Sequence, residues 1–215
     1  MSPEQRKTAS EFQLHKRGIR INLQLPAIET NEEVQLRSAA ALFFRLIALW
    51  AVVGAASHPD SRHFRQYISQ HKIEAWLSPQ ELEFLLRDAP TPAECLQFSC
   101  RRESLFFLAW CAGLVDSIDI VSTESDIESM LHWFPQEMEA PARLQNAIRA
   151  RSKNAILSWA DLLYRLHWAV RHANLIGKPA PANLNGKLIQ EWHQAANWMI
   201  RYEDEDNWDR VGTDT

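Results

Sequence analysis

Glycine is scarce in this chain. Only six occur, at positions 18, 54, 113, 177, 186 and 212, and no two lie closer than nine residues. Phosphate-cradling loops of the P-loop and dinucleotide types need clustered glycines to bring backbone N–H groups to the phosphates, so both are excluded. There is no Gly-x-Ser-x-Gly elbow and no His-Glu-x-x-His pair, which removes the commonest signatures of a serine hydrolase and a zinc protease. Cysteine is sparse too: Cys95, Cys100 and Cys111 are an odd number with no Cys-x-x-Cys pair. Reduced, packed thiols in a cytoplasmic protein fit this better than a secreted disulfide framework. The opening stretch, MSPEQRKTASEFQLHKRG, lacks the apolar region of a signal peptide. Nor is there an excess of one charge: the net charge is −4 over 215 residues with the signs interspersed. That gives no electrostatic case for nucleic acid or an anionic membrane as partner. The acidic DEDNWD resembles a calcium loop only superficially, because Trp208 stands at a ligand position and Asp209 where glycine is needed. No metal or cofactor is expected.

What is present is bulk for a core. Hydrophobic residues make up 46% of the chain and charged residues 23%, with nine tryptophans and nine phenylalanines, an ordinary balance for a globular protein. The longest apolar run, AAALFFRLIALWAVVGAAS at 39–57, is long enough to span a bilayer but carries Arg45 well inside it. It reads as a central core helix whose arginine is either paired or reaches past the helix to water.

GIRINLQLP at 18–26 alternates strictly, a strand signal that an extended arm across helices would also show. SIDIV at 117–121 offers a second candidate strand. The rest reads as helix: about 32–57, about 61–77, two that start at the capping boxes SPQE (78–81) and TPAE (91–94), and RRESLFFLAWCAGL ending at Gly113. A short helix follows from about Thr123 to Pro135, then a long helical region from Ala142 to Ile176 bent near Arg151, and a last strong helix, GKLIQEWHQAANWMIRY. The expectation is an all-α, single globular domain of eight or nine helices with at most a minor strand near the N-terminus. Residues 1–30 form an arm and 31–215 the helical domain.

DLLYRLHWAVRHA at 161–173 is the densest chemical stretch. At about 100° per residue, Asp161, Arg165, Trp168 and His172 share one face, the aliphatic residues gather opposite, and Tyr164 and His167 lie on a flank. On the last helix His193 and Glu191 edge an apolar arc. Packed antiparallel, the two helices would bring Asp161, Arg165 and His172 to Glu191 or His193 in a polar pocket. Alternatively, Asp161 and Arg165 form an i,i+4 pair and the histidines satisfy helix junctions. Trp208, bulky and apolar amid charges, is expected to dock the C-terminal segment, with Asp209 beside it.

The runs DLLYRLHWAVRHANLIG, LNGKLIQEWHQAANWMI and WDRVGTDT, with LRSAA, LSPQELEFL and RRESLFFLAWCAGLVD before them, resemble a widespread bacterial family catalogued as domain of unknown function 4272. Members usually carry a tryptophan shortly before the position of Glu103, where this chain has FSCRRE, and often an arginine at the position of Trp192. The resemblance implies a mostly helical cytoplasmic protein and no particular reaction. Its recurring pattern singles out Asp161, Tyr164, Arg165, His167, Glu191, Asp209, Asp214 and Thr215 as a shared site or as a framework for the last two helices. The leading functional expectation is a non-enzymatic protein that binds another protein through tryptophan anchors, in the manner of a toxin-neutralising immunity partner. The alternative is an enzyme or small-ligand sensor with its pocket between the two C-terminal helices.

Overall fold

The computed structural model describes residues 1–58, 61–120 and 123–215. Among them are nine α-helices and no strand: α1 Pro3–Lys16, α2 Ala39–Ser57, α3 Arg62–His71, α4 Pro79–Leu86, α5 Pro92–Ser99, α6 Arg102–Cys111, α7 Ala142–Ala147, α8 Lys153–Leu175 and α9 Gly186–Met199. Short 3-10 turns cover Glu74–Trp76, Glu128–Trp133, Pro181–Asn183, Tyr202–Asp204 and Trp208–Arg210.

The N-terminal stretch expected as an arm begins instead with a helix. Ser2 and Gln5 form a capping box (Gln5 N–H to Ser2 Oγ 3.2 Å, Ser2 N–H to Gln5 Oε1 3.0 Å) with Pro3 at the first helical position. α1 buries Arg6, Ser10 and Leu14 and packs against α8. Residues 18–26 form no strand. They run as an arm that turns at 22–25 (Leu25 N–H to the Asn22 carbonyl 3.2 Å), with Ile19 and Leu25 buried and Leu23 exposed, and Lys7 Nζ donates to the carbonyls of Leu23 (2.9 Å) and Leu25 (2.6 Å). Ser117–Ile120 are likewise not strand, and the end of that expected element lies outside the described residues.

The apolar run forms the central helix, but α2 starts at Ala39 with Ser38 as its cap. Residues 32–38 stay outside because their polar groups are engaged elsewhere. Thr30 and Glu33 cap each other, and Arg37 satisfies the end of α9: its backbone N–H donates to the Met199 carbonyl (3.0 Å) and its Nε to that of Trp198 (3.1 Å). α2 touches α3, α4, α5, α6 and α7 and buries 12 of its 19 residues. It is long and apolar enough to cross a membrane, yet here it is the core helix.

Between α7 and α8 the segment around Arg149 and Arg151 caps the end of α6. The N–H groups of Arg149 and Arg151 donate to the carbonyls of Ala112 (2.8 Å) and Cys111 (2.9 Å). Gly113 is required there: its φ is +76°, and a Cβ would lie 2.5 Å from the Arg149 carbonyl oxygen. This holds α6 against α9, where Phe107, Trp110, Trp159 and Trp192 form an aromatic cluster with ring centroids 5.6–6.5 Å apart.

Candidate functional site

α8 and α9 pack together along their length, as the sequence suggests, but the side chains expected to meet there are divided among several places. Asp161 and Arg165 are both buried and form a bidentate pair (Nε–Oδ2 3.0 Å, Nη2–Oδ1 2.8 Å). Arg165 Nη2 also donates to the Pro26 carbonyl (2.9 Å), and Nη1 lies 3.7 Å from Glu11 of α1. The pair therefore clamps α1 and the extended arm onto α8. His172 does not join them, and stacks on Trp168 with centroids 4.8 Å apart and planes 11° from parallel.

Glu191 lies on another side of α9, accepting from Ser104 Oγ (2.6 Å), with burial pushing its carboxyl pKa up. It lines a cavity of about 330 Å³ that also holds Cys100, Arg102, Glu103 and Lys187. Glu103 is filled by Ser125 N–H (2.9 Å), Ser125 Oγ (2.6 Å) and Trp192 Nε1 (3.1 Å), so the indole serves a carboxylate and no charge is needed at 192.

Trp208 docks the C-terminal segment as expected: it is 2% exposed, packs edge-on against Trp198 (5.9 Å) and lies under the Arg45 guanidinium (4.8 Å). Asp209 next to it accepts from Ser78 Oγ (2.7 Å) and from the Gln80 N–H (2.9 Å) at the start of α4, with Arg101 Nη2 at 3.4 Å. This closes a network that sequence reasoning left unassembled. Glu81, fully buried, bonds the guanidiniums of both Arg45 and Arg101 and accepts from the Ser78 N–H (2.9 Å). Burial alone would raise its pKa, but the two arginines outweigh it and hold the carboxyl below its ordinary value.

The feature that sequence did not pair is histidine with histidine. His167 of α8 and His193 of α9 are 6% and 2% exposed, and their Nδ1 atoms lie 3.0 Å apart. Such a contact requires one Nδ1 to carry a proton and the other to accept it. Burial lowers both pKa values, that of His167 to about 4 with help from Arg171 and that of His193 to about 3 with help from His167, so both rings are neutral at pH 7. The Nδ1 contact is the one hydrogen bond His193 makes among the described residues, and Nε2 is left without a protein partner.

His193 lines a pocket of about 360 Å³ between α8, α9, the arm and the C-terminal segment. Tyr164 lies beside it with ring centroids 6.2 Å apart. Asn197, Tyr202, Glu29 and Asp214 complete its polar lining, and Ala27, Ile28, Ala160 and Ile200 supply apolar wall. Asn197 spends its Nδ2 on the Gly212 carbonyl (2.8 Å), which leaves Oδ1 free. Burial raises the pKa of both tyrosines, so their phenols stay protonated. Of the ten residues expected at a site, this pocket gathers Tyr164 and His193 directly and His167 behind them. Asp161, Arg165 and Asp209 are spent in ion pairs, Trp208 in packing, Trp168 and His172 in a stack, and Glu191 faces the other cavity. No three His, Cys, Asp or Glu groups converge as a metal site among the described residues.

Residues 6–211 match the family described as Domain of unknown function (DUF4272). The chain belongs to this family. No curated protein and no solved structure matches it.

Proposed function

We propose that this DUF4272 protein binds a small molecule in the pocket between α8 and α9. The observation that carries the reading is that His193, Asn197, Tyr164 and Tyr202 all line one concave space of about 360 Å³, and that His193 Nε2, Asn197 Oδ1 and both tyrosine hydroxyls make no hydrogen bond to a described residue. A concave, partly apolar space with a few polar groups converging on it is the usual form of a small-molecule site. Binding is better supported than turnover. His193 is coupled to a second neutral histidine instead of a nucleophile, and burial pushes the thiols of Cys100 and Cys111 away from the reactive thiolate. For the expected protein partner, immunity-type or otherwise, the tryptophans offer less support, because Trp50, Trp110, Trp192, Trp198 and Trp208 are buried and Trp76, Trp133, Trp159 and Trp168 are half-buried.

The test is a fragment screen by NMR on the full chain, read at the side-chain resonances of His193, Asn197 and Tyr164. Hits should shift these together, and Ala27→Trp, which plugs the pocket from the half-buried arm, should abolish them. Fragments that bind without moving those signals, or that survive the plug, would place binding elsewhere and sink the reading.

A further inference from the structure

We propose that the occupant of the α8–α9 pocket is an organic primary amine, bound as its ammonium ion between Tyr164 and Tyr202, its N–H groups given to His193 Nε2 and Asn197 Oδ1 and its charge matched by Glu29 and Asp214. This inference rests on the ligand-binding reading above and adds the chemical class.

The first support is charge. The pocket lining contains two carboxylates and no lysine or arginine. Neither Glu29 nor Asp214 makes an ion pair or side-chain hydrogen bond with another described residue. Among the described arginines nearby, Arg6 donates to the Glu29 backbone carbonyl (3.1 Å) and attracts the Glu29 charge without an ion pair, Arg165 is held by Asp161 (2.8 Å), Arg171 reaches only the pocket edge, donating to Thr215 Oγ1 (3.3 Å), and Arg201 is engaged by Asp204 (3.7 Å) and Asp206 (3.9 Å). The space continues past Glu29 and Tyr202 into a groove of about 340 Å³ that adds Glu33, Glu203 and Asp204 against a single cation, Arg201. Low-dielectric walls lined by one sign of charge concentrate the opposite ion, here a cation.

The second support is the hydrogen-bonding character of the buried end. His193 is 2% exposed and Asn197 5%, and each presents one unpartnered atom. Asn197 Oδ1 is a carbonyl oxygen and can only accept, and the bond from Nδ2 to the Gly212 carbonyl fixes which end of the amide it is. His193 accepts at Nε2 whenever its proton sits on Nδ1 and is donated to His167, and the second histidine makes that tautomer available without a charge. Because burial holds the His193 pKa near 3, it remains a neutral acceptor across the range in which an alkylamine is cationic. Two acceptors at depth, two tyrosines in the wall and carboxylates at the rim match R–NH₃⁺. An anion would meet acceptors and like charge instead, and a quaternary ammonium would leave both acceptors unpaired.

The experiment is calorimetric titration of the full-length protein at pH 7 and low, matched ionic strength with butylamine, tetramethylammonium, butanol and butanoate, each repeated on a Glu29→Gln/Asp214→Asn double variant. Both carboxylates are exposed and unpaired, so the variant keeps its fold. Butylamine should bind roughly tenfold more tightly than tetramethylammonium or butanol, butanoate should not bind, and the double variant should lose roughly tenfold of the butylamine affinity. Nitrogen-15 spectra should show the His193 proton fixed on Nδ1 when butylamine is bound. Equal binding of butanoate or tetramethylammonium, or an unchanged affinity in the double variant, would overturn the amine assignment. If butanol or butanoate shifts the His193 and Asn197 signals while butylamine does not, the amine falls and the ligand pocket stands. If none of the four probes moves them, and the fragment screen is silent as well, both readings fall.

Discussion

Two polar clusters in this protein are equally deep and oppositely finished. Around Glu81 the acceptors are filled: two guanidiniums and a backbone N–H surround a fully buried carboxylate, and Asp209 caps the outer side through Ser78, Gln80 and Arg101. Around His193 the ring is neutral, its one protein partner is another neutral ring, and the carboxylates at the rim form no ion pair among the described residues. A buried ion survives in the first place only because the opposite charges are supplied by the chain. In the second, the chain supplies acceptors and negative charge and leaves the matching groups to something else. The contrast separates residues that hold the fold from residues that wait for a ligand.

The comparison breaks most violently at Glu81. Glu81→Gln leaves Arg45 and Arg101 buried without a counter-charge and should cost about 3–5 kcal/mol in denaturant unfolding. A loss below about 1 kcal/mol would mean that water already screens the arginines. Next comes Trp208→Ala, which removes a buried indole from between Trp198 and Arg45 and should cost about 3 kcal/mol. Deleting residues 207–215 should lower the melting temperature further, because it also strips Asp209 from the start of α4. An unchanged melt would show that the C-terminal segment is not part of the fold.

Acid should act on the other cluster. Both histidines resist protonation in the folded state, with pKa values of about 4 and about 3 against an ordinary 6.5, so below pH 6.5 the unfolded chain binds protons that the folded chain refuses. The stability they contribute is full above pH 6.5 and is lost as the pH falls toward 4, with a slope of at most about 1.4 kcal/mol per pH unit for each proton refused. His167→Asn should flatten that part of the profile by removing one refused proton and releasing His193 from its neighbour. A profile as steep as that of the parent would show that the loss comes from carboxylates instead.

The fold was largely legible because its signals are local. The SPQE and TPAE capping boxes start α4 and α5 where they stand in sequence, with Ser78 and Thr91 as caps, and Gly113 ends α6 with a positive φ. The same signature, Ser-Pro-Glu-Gln at 2–5, opens α1 and could have been read, but the basic, polar composition after it suggested an arm. The alternation at 18–26 misled because the segment turns at 22–25, so that Ile19 and Leu25 are buried, Ile21 is half-buried and Leu23 is exposed, with no partner strand. The site was legible only in part. Helical angles placed Tyr164 and His167 together on a flank of α8, and His193 was already marked at the edge of α9. That His167 and His193 touch depends on the rotation of one helix against the other, which no periodicity within either helix records. The Glu81 network joins positions 45, 81, 101 and 209, and nothing in the local sequence of any one points to the other three.

The smallest expected effect is the most informative about function. Glu29→Gln and Asp214→Asn, singly or together, remove exposed charges that make no ion pair among the described residues, so folding stability should change by no more than about 0.5 kcal/mol. The same substitutions should be conspicuous only when a cation is present. For the parent protein a saturating amine adds RT ln(1 + [L]/Kd) to stability, about 2.7 kcal/mol at a hundredfold excess over Kd, and a tenfold weaker double variant should keep only about half of that gain at the same amine concentration. Glu81→Gln should show the reverse: a large loss without ligand and the same increment with it, provided the measurement is made where the variant is still folded. If instead the rim variants destabilise the free protein by more than about 1 kcal/mol, Glu29 and Asp214 are holding the chain together. The two clusters would then differ in degree and not in kind.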